Sequence, residues 1–472
     1  MLSSLWTAIA AGDLLRAELE TATCMALPRV GRLDPENAQA FVSKVLVNEA
    51  VRRPSPEGAA MLRLLMTLGS PATRRAASQT LARLTDIDIY PPGWVTEAGK
   101  AVPGRAWRRY EVFGDEETIV ATFRYGEAEH GIVVQVDLTG IPTTVAVGLA
   151  VDAAKLIEAI GRQDDPFDRT EQIGLSEARR RVEAPLARTD AEPDPSLSVD
   201  TIAYLPVARS RIRRLPADDS SQVAVYTAAD RAAAVDDFLK SPLAAEAAGD
   251  DEESTRFWAE VLTGYSSRIP GEPPAQVGPR KLARILLGHV PNTFIVSPAQ
   301  RRHLEPAVTA WTRWSGAHRA LDEAASARLT EHLPELFARF DEAYDDPDAS
   351  TARGYLADLA AADADVSWLA GQVARRMFAV PMPEPDEGGP RPDVGDPAAR
   401  RALAEAEFAG CTPPRNMTSE QFVNEAHRVI EDIWRDDPEA TFQAARRLFA
   451  EGSDRHDVIH ALAGAKDSPA GP

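Results

Sequence analysis

The most restrictive feature of this sequence is a change of hydrophobic period between residues 106 and 148. Four segments there are rich in β-branched and aromatic residues, and turn-forming residues such as Gly114–Asp115 separate them. They span 106–113, 117–125, 131–138 and 143–148. Short segments of this kind, joined by such turns, are typical of β-hairpins. We therefore predict a four-stranded antiparallel meander. A helix over 151–162 should cover one of its faces, because an isolated meander would expose apolar surface to water.

The chain on both sides of the meander has a helical period. Residues 1–90 predict four helices, one of which begins at Asp34–Pro35, a capping residue followed by proline at the first helical position. Further helices are predicted through 170–215 and 222–240, and in the block from 255 to 380. The predicted fold class is mainly α with a small α+β domain, in which helical N- and C-terminal modules flank the antiparallel meander.

Composition shifts divide the chain into five predicted parts. A linker is indicated where prolines and acids replace any periodic pattern, since such segments are extended and do not form a core. The parts are an N-terminal helical domain at 1–90, an α+β domain at 91–215, a helical domain at 216–380, a linker at 381–398 and a C-terminal helical module at 399–472.

The net charge excludes some partners. The 472 residues include 52 Lys and Arg against 72 Asp and Glu, a formal charge of −20. Most of this excess lies in 218–255 and 340–397, whereas 169–214 has nine cationic residues against seven acidic ones. A polyanionic partner such as a nucleic acid or a membrane surface is disfavoured by this balance. We expect a protein partner or a homo-oligomer.

The cysteine content and the absence of long apolar segments suggest a cytoplasmic protein. Cys24 and Cys411 are the only cysteines, which provides no disulfide framework. No window approaches 18 uninterrupted apolar residues, so no transmembrane helix is predicted. The first 20 residues lack a cationic start and indicate an amphipathic helix rather than a signal peptide.

Specific catalytic motifs are absent from the sequence. It contains no GxxxxGK[ST], GxGxxG, GxSxG or HExxH pattern and no EF-hand loop. The nucleotide-binding, α/β-hydrolase and zincin classes are therefore not the default, and no cofactor is expected from a motif. Catalysis itself stays open, because catalytic groups are often brought together only by the fold.

One candidate metal site lies near the C-terminus. His427 and Glu431 are four residues apart on a predicted helix, as are His456 and His460 on a later one. Imidazole and carboxylate groups at this spacing share one helix face, as ligands of a divalent metal would. Parallel helices would point these pairs apart, so convergence needs a strong crossing or a second subunit. The alternative is that the histidines make ordinary hydrogen bonds.

Two arginine clusters form a candidate anion-binding site for a phosphate, RNA or an acidic protein segment. Because guanidinium groups bind phosphates and carboxylates in a bidentate manner, their grouping suggests this role. The alternative is a solvated helix face whose arginine stems cover apolar surface. The candidate residues are Arg179, Arg180, Arg181, Arg209, Arg211 and Arg213.

Cys411, in the loop-like stretch FAGCTPP, is predicted to be exposed. With no partner histidine in view along the sequence, it is expected to be an inert thiol rather than a nucleophile. Trp311 and Trp314, three residues apart, are expected to serve packing.

Two stretches resemble large protein families of high-GC bacteria to which no activity is attached. One is the meander segment RRYEVFGDEETIVATFRYGEAEHGIVVQVDLTG. The other is the C-terminal pattern HxxxE followed by RHxxxH, matched here by His427, Glu431, Arg455, His456 and His460. This resemblance implies no function.

Two functions from different classes follow as hypotheses, and whether the protein is an enzyme is left open. The first is a cytoplasmic, non-catalytic interaction or scaffold protein, whose mobile linker lets terminal modules reach partners. The second is a metal-dependent hydrolase or oxidoreductase that uses His427, Glu431, His456 and His460, with water in an open coordination position.

Overall fold

The structure, a computed structural model, describes residues 2–30, 35–162, 165–191, 197–217, 224–266, 269, 271–294, 296–345, 366–381, 394–414, 417–451 and 453–465. Its contacts divide the chain into two compact units. Unit 1 contains residues 1–284 and 303–333, and unit 2 contains residues 285–302 and 334–472. The finer five-part division remains a prediction. Most of the predicted linker, 382–393, lies outside the described residues.

Unit 1 begins with five helices, one more than the four predicted. The extra boundary is at Gly12, whose φ of 69° is the left-handed conformation that glycine adopts without strain. Ser55 and Ser70 cap the fourth and fifth helices, each followed by proline. The helices are α1 (Leu2–Ala11), α2 (Leu14–Val30), α3 (Pro35–Arg52), α4 (Pro56–Leu68) and α5 (Pro71–Thr85).

The predicted antiparallel sheet is present, but it has five strands. The fifth strand, Asp168–Ile173, pairs with the first and was missed because its polar sequence DRTEQI has no apolar alternation. The strands lie in the order β4-β3-β2-β1-β5. They are β1 (Val102–Glu111), β2 (Glu116–Tyr125), β3 (Ala128–Asp137), β4 (Thr143–Ala150) and β5 (Asp168–Ile173).

Helices pack on both faces of the sheet. On one face, α7 (Leu175–Ala191) and α8 (Val199–Ile212) bury an apolar core that includes Ile119, Val134 and Val147. On the other face, the short helix α6 (Ala153–Gly161) packs Ile160 against Trp107 and Val120. This is the covering helix that the sequence predicts.

Thr189 of α7 and Thr201 of α8 accept hydrogen bonds from backbone N–H groups of β4, at the outer edge of the sheet. The N–H of Thr144 donates to Thr189 Oγ1 at 2.9 Å, and that of Val147 donates to Thr201 Oγ1 at 3.3 Å. Unpaired strand edges attract other strands, so these contacts protect β4 from edge-to-edge pairing.

The remaining helices of unit 1 enclose an aromatic core. Trp311 and Trp314 are both buried, and their rings lie 5.0 and 5.6 Å from the ring of Phe238. The packing role predicted for the two tryptophans fits this arrangement. The helices are α9 (Ala228–Leu239), α10 (Pro242–Ala248), α11 (Glu252–Ser266), α12 (Pro279–Arg284), α15 (Leu304–His318) and α16 (Glu323–Glu331).

The described part of unit 2 consists of helices and the turns that connect them, without a strand. Its first elements are a π-helical turn (Ile285–His289), α13 (Val290–Thr293), α14 (Pro298–Arg302) and α17, which runs Leu333–Asp345 from the last residue of unit 1. The C-terminal elements are α18 (Val366–Ala379), α19 (Pro397–Phe408), α20 (Ser419–Arg435), α21 (Glu439–Ala450) and α22 (Arg455–Ala465). Among the described residues, no helix has both the length and the hydropathy needed to cross a membrane.

Candidate functional site

Helix α20 organises the C-terminal part of unit 2. Thr418 and Gln421 form a capping box, so two backbone N–H groups at the start of the helix are satisfied. The apolar stripe of α20, including Phe422, Val429 and Ile433, is completely buried against neighbouring helices. Helices α19 and α22 both pack against α20, and together these elements position all four predicted metal ligands.

The first predicted ligand pair is engaged by arginines. Glu431 accepts hydrogen bonds from Arg400 Nε at 2.6 Å and Nη2 at 3.0 Å, and Arg435 lies 3.1 Å away. Burial opposes ionisation of Glu431, but these cations outweigh it and lower the pKa of its carboxyl group. The Nε2 of His427, 3.7 Å from Glu431, has no hydrogen-bond partner in the described part of the chain. Burial lowers the pKa of His427.

The second predicted ligand pair contacts different groups. The rings of His456 and His460 lie 6.4 Å apart, and His460 Nε2 is 3.3 Å from the carbonyl oxygen of Thr412. His456 contacts Glu407 and Cys411 instead of Glu431. Within the described residues, no three His, Cys, Asp or Glu side chains are arranged to hold a metal ion.

The thiol of Cys411 lies beside the His456 ring. Its Sγ is 3.4 Å from His456 Nε2, a hydrogen-bonding distance for sulfur. Cys411 follows the end of α19 in a turn in which its N–H donates to the carbonyl of Phe408 at 3.1 Å. Its side chain is half-buried, so the sulfur combines order with access.

Helix α22 holds the loop that carries Cys411. His460 contacts the Thr412 carbonyl, and Gly464 faces Pro414 so closely that an added Cβ would lie 3.0 Å from the proline ring. A larger residue at position 464 would therefore push the loop away. The same helix carries His456, so α22 positions both the imidazole beside the thiol and the loop that carries the thiol.

A carboxylate orients the imidazole from the opposite side. His456 Nδ1 lies 3.2 Å from Glu407 Oε1, and the ring stacks on Phe408 at 4.7 Å with an interplanar angle of 11°. With Nδ1–H donating to Glu407, Nε2 is the acceptor that faces the thiol. Thiol, imidazole and carboxylate thus form a Cys411–His456–Glu407 triad, the arrangement that activates a nucleophile.

Arg455 fixes the carboxylate of the triad. Its Nη1 donates to Glu407 at 2.5 Å, while Nε and Nη2 donate to the carbonyls of Phe378 and Ala379 at 2.7 and 2.6 Å. These carbonyls end α18, where the backbone oxygens have no helical partner of their own. The arginine therefore ties Glu407 to a helix end and limits its rotation.

The sequence analysis did not identify Glu407 and found no histidine partner for Cys411, although His456 contacts both side chains. Cys411 and His456 are 45 residues apart, and no fixed spacing marks such a pair. The available signal was the RHxxxH pattern together with a cysteine in a proline-flanked loop. Only the packing of α19 against the other helices brings these groups together.

The predicted anion-binding arginines contact groups within unit 1. Arg179 pairs with Glu183 at 2.9 Å, and Arg181 pairs with Glu177 at 2.8 Å and with Glu117 at 3.0 Å. Arg180 lies 3.9 Å from the carboxylate of Glu177. The first cluster therefore lies among carboxylates of the same unit, an arrangement that fits the alternative of structural ion pairs.

The second arginine cluster is divided between the interior and the surface. Arg211 is fully buried and bonded to Glu18, whereas Arg213 is exposed and donates to the Thr67 carbonyl at 3.1 Å. Partial desolvation of its guanidinium group and the positive charge of Arg74 lower the pKa of Arg213. Arg209 is half-buried on the same helix. Anion binding by these residues remains a prediction.

Comparisons with known proteins return no match. No protein-family model matches the chain. No curated protein and no solved structure matches it either.

Proposed function

We propose that unit 2 performs nucleophilic thiol chemistry at Cys411, with His456 as the base and Glu407 as the group that orients it. The observation that supports this proposal is the 3.4 Å contact between Cys411 Sγ and His456 Nε2. A thiol reacts as its thiolate, and a neighbouring imidazole supplies that form by accepting the proton. The proposed substrate class is an activated carbonyl compound, an ester or a thioester.

The proposed reaction is an acyl transfer in two steps. In the first, the sulfur attacks the carbonyl carbon while its proton moves to His456 Nε2, and that proton then leaves with the departing alcohol or thiol. In the second, water attacks the acyl-cysteine, giving one proton to His456, and the regenerated thiol recovers it. The carboxylate of Glu407 stabilises the imidazolium formed in each step.

The test measures alkylation of Cys411 by iodoacetamide at about pH 7, read by mass spectrometry of the full-length protein. Cys24 is an internal control, because its buried thiol has a pKa raised to about 11 and should not react. We expect His456→Gln to slow alkylation of Cys411 at least about tenfold, and Glu407→Gln to slow it less. Hydrolysis of p-nitrophenyl acetate should be lost in Cys411→Ser.

His460→Gln provides the matched control. His460 lies on the same helix and contacts the same loop, but its ring is not bonded to the sulfur. Its substitution should leave the alkylation rate within about twofold of the wild type. Equal rates for the wild type and His456→Gln would overturn the proposal, as would a Cys411 that reacts no faster than a free thiol.

We also propose, as a second function, protein–protein interaction through an apolar patch of unit 2. The ring of Phe449 is 55% exposed and lies 5.6 Å from that of Phe378, and Met377, which precedes Phe378 in the sequence, is also exposed. Adjacent exposed apolar residues at a surface indicate a contact site more strongly than isolated ones. This supports the interaction function expected from the sequence, with a second copy of the chain as the simplest partner.

Native mass spectrometry over a range of concentrations tests this second function. We expect a dimer population that Phe449→Glu abolishes. Val225→Glu is the control, because Val225 is also highly exposed but lies in unit 1. A monomer at every concentration would contradict self-association through this patch.

A further inference from the structure

The face of the sheet that carries α6 is only partly covered. Helix α6 lies close to β3 because Gly131 has no side chain, and a Cβ there would clash with Leu156. The helix has only nine residues. It packs over Trp107, Val120 and Val133, and leaves the neighbouring part of the same face as a groove beside it.

The floor of the groove consists of two rows of residues that run across the strands. In the first row, Val120 pairs with Val133, and Val133 pairs with Gly148. This row is apolar and lies at the foot of α6, whose Leu156 and Ile160 form the wall. A ligand lying here would therefore meet aliphatic surface on two sides.

The second row is polar. Arg109 pairs with Thr118, Thr118 with Gln135, and Gln135 with Ala146. Side chains two residues apart along a strand point to the same face, so both rows face the groove. The groove is thus apolar along its α6 side and polar along the other.

The groove has a volume of about 680 Å³, which lies within the range of small-molecule sites. Its far end lies at the outer edge of β4, where Ser198, Asp200 and Thr201 from the first turn of α8 line it. Thr201 is held there by the backbone of β4, since its hydroxyl accepts the N–H of Val147. The groove therefore has a fixed floor, wall and end.

The charges that line the groove are predominantly negative. Four carboxylates and one guanidinium contribute to it, from Glu111, Glu116, Asp168, Asp200 and Arg109. Asp168 pairs with Arg109, and Glu116 pairs with Arg280. Glu111 accepts N–H groups of its own turn, among them that of Gly114 at 2.9 Å.

The acceptors that are left suit a ligand that donates hydrogen bonds. Among the residues that the structure describes, neither the carboxylate of Asp200 nor the hydroxyl of Thr118 has a hydrogen-bond partner. Gln135 uses its amide nitrogen on Glu116, so its carbonyl oxygen remains as an acceptor. An anionic ligand beside Asp200 would be repelled by its carboxylate, because the guanidinium of Arg109 is already paired with Asp168, whereas an ammonium group would be attracted.

We propose that this groove binds a small organic amine with an apolar body. The body lies on Val120, Val133 and the wall formed by α6, and the ammonium group lies toward Asp200 and the carbonyl of Gln135. Apolar contact supplies most of the affinity, and the carboxylate selects the cation over neutral and anionic analogues.

The test compares binding of phenethylamine and phenylacetate, which share a ring but have opposite charges, by saturation-transfer NMR and titration with the full-length protein. We expect phenethylamine to bind at least about fivefold more tightly than phenylacetate. Asp200→Asn should remove this preference. Glu158→Gln is the charge control, because Glu158 lies on α6 but does not line the groove.

Two substitutions test the location independently. Gly148→Val and Ala146→Leu each fill the floor of the groove from β4 and should weaken phenethylamine binding at least about fivefold. Retained circular dichroism and melting temperature in either variant shows that the fold is intact. The proposal is overturned if neither compound binds at about 10 mM, if both bind equally, or if a folded filling variant binds as well as the wild type.

Discussion

The guanidinium group of Arg211 donates to the carboxylate of Glu18 at 2.5 and 3.3 Å, in a part of unit 1 where neither side chain has exposed surface. The pair joins α2 to α8, and Arg211 Nε donates in addition to His130 Nε2 on β3 at 2.8 Å. One buried guanidinium group therefore connects α2, the sheet and α8. Residues 193 positions apart in the sequence form this contact.

Arg211→Met should destabilise the protein by about 3–5 kcal/mol, because it leaves the Glu18 carboxylate buried without its cation. The double substitution Glu18→Leu with Arg211→Met removes both charges and should recover most of that loss. Urea titration of the three proteins measures the free energies of unfolding. A single variant as stable as the wild type would show that the pair is not buried in solution.

His130 should make the protein sensitive to acid. Burial and the positive charge of Arg211 lower the pKa of His130 to about 3, from an unperturbed value of 6.5. Because the folded pKa is depressed, the stability that the neutral ring supplies is complete above about pH 6.5 and is lost as the pH falls toward 3.

His130→Gln keeps an acceptor for Arg211 but does not titrate. Between about pH 7 and pH 5 the wild type should lose about 2 kcal/mol more unfolding free energy than this variant. Urea titrations of both proteins at the two pH values provide the comparison. Parallel pH dependences would contradict the assignment of a neutral buried histidine.

Glu272 should produce the opposite pH dependence. Burial raises the pKa of its carboxyl group to about 7, although Lys281 and Arg319 favour the ionised form and nearby Asp115 opposes it. Because the folded pKa is raised, this contribution to stability is complete below about pH 4.5 and is lost as the pH rises toward 7. The group faces Lys281, which is buried as well.

Glu272→Gln removes the titration while keeping a carbonyl acceptor for Lys281. Relative to this variant, the wild type should lose about 2 kcal/mol of unfolding free energy between about pH 5 and pH 7. In the wild type, the pH dependences that His130 and Glu272 give to the unfolding free energy have opposite signs. Each therefore becomes visible only when the single variants are compared with the wild type. If the unfolding free energies of the wild type and Glu272→Gln change equally with pH across this range, Glu272 has an ordinary pKa.

The sequence contained enough information to predict elements with a regular apolar pattern. The helical period of the C-terminal module and the pattern of β1 to β4 were recognised because burial on one face imposes a period. Strand β5 was missed because it lies at an edge with mostly polar residues, where pairing with β1 rather than burial determines its conformation.

Contacts between distant residues were not predictable from spacing. The second arginine cluster was interpreted as one group, yet the structure buries Arg211 and exposes Arg213 two residues later. No histidine partner was expected for Cys411, yet His456, 45 residues away in the sequence, lies beside its thiol. Both outcomes depend on which helices pack together, and a single sequence does not encode that in any local pattern.

Glu431→Gln should destabilise unit 2 by about 2–4 kcal/mol, because Arg400 would then keep its charge in a buried site without a carboxylate. Arg400 has only 3% of its side chain exposed, stacks on Trp434 at 4.4 Å and also donates to the carbonyl of Val394. Glu425→Gln, which breaks an exposed pair with Arg428, should cost less than about 1 kcal/mol.

The same substitution tests the predicted metal site. If Glu431 were a zinc ligand, added Zn²⁺ would raise the melting temperature of the wild type and not that of Glu431→Gln. Because Glu431 is already paired with Arg400 and Arg435, we expect Zn²⁺ to change the melting temperature of neither protein. The difference in stability between the two proteins should persist. A shift confined to the wild type would show that the carboxylate exchanges its arginine partners for a metal.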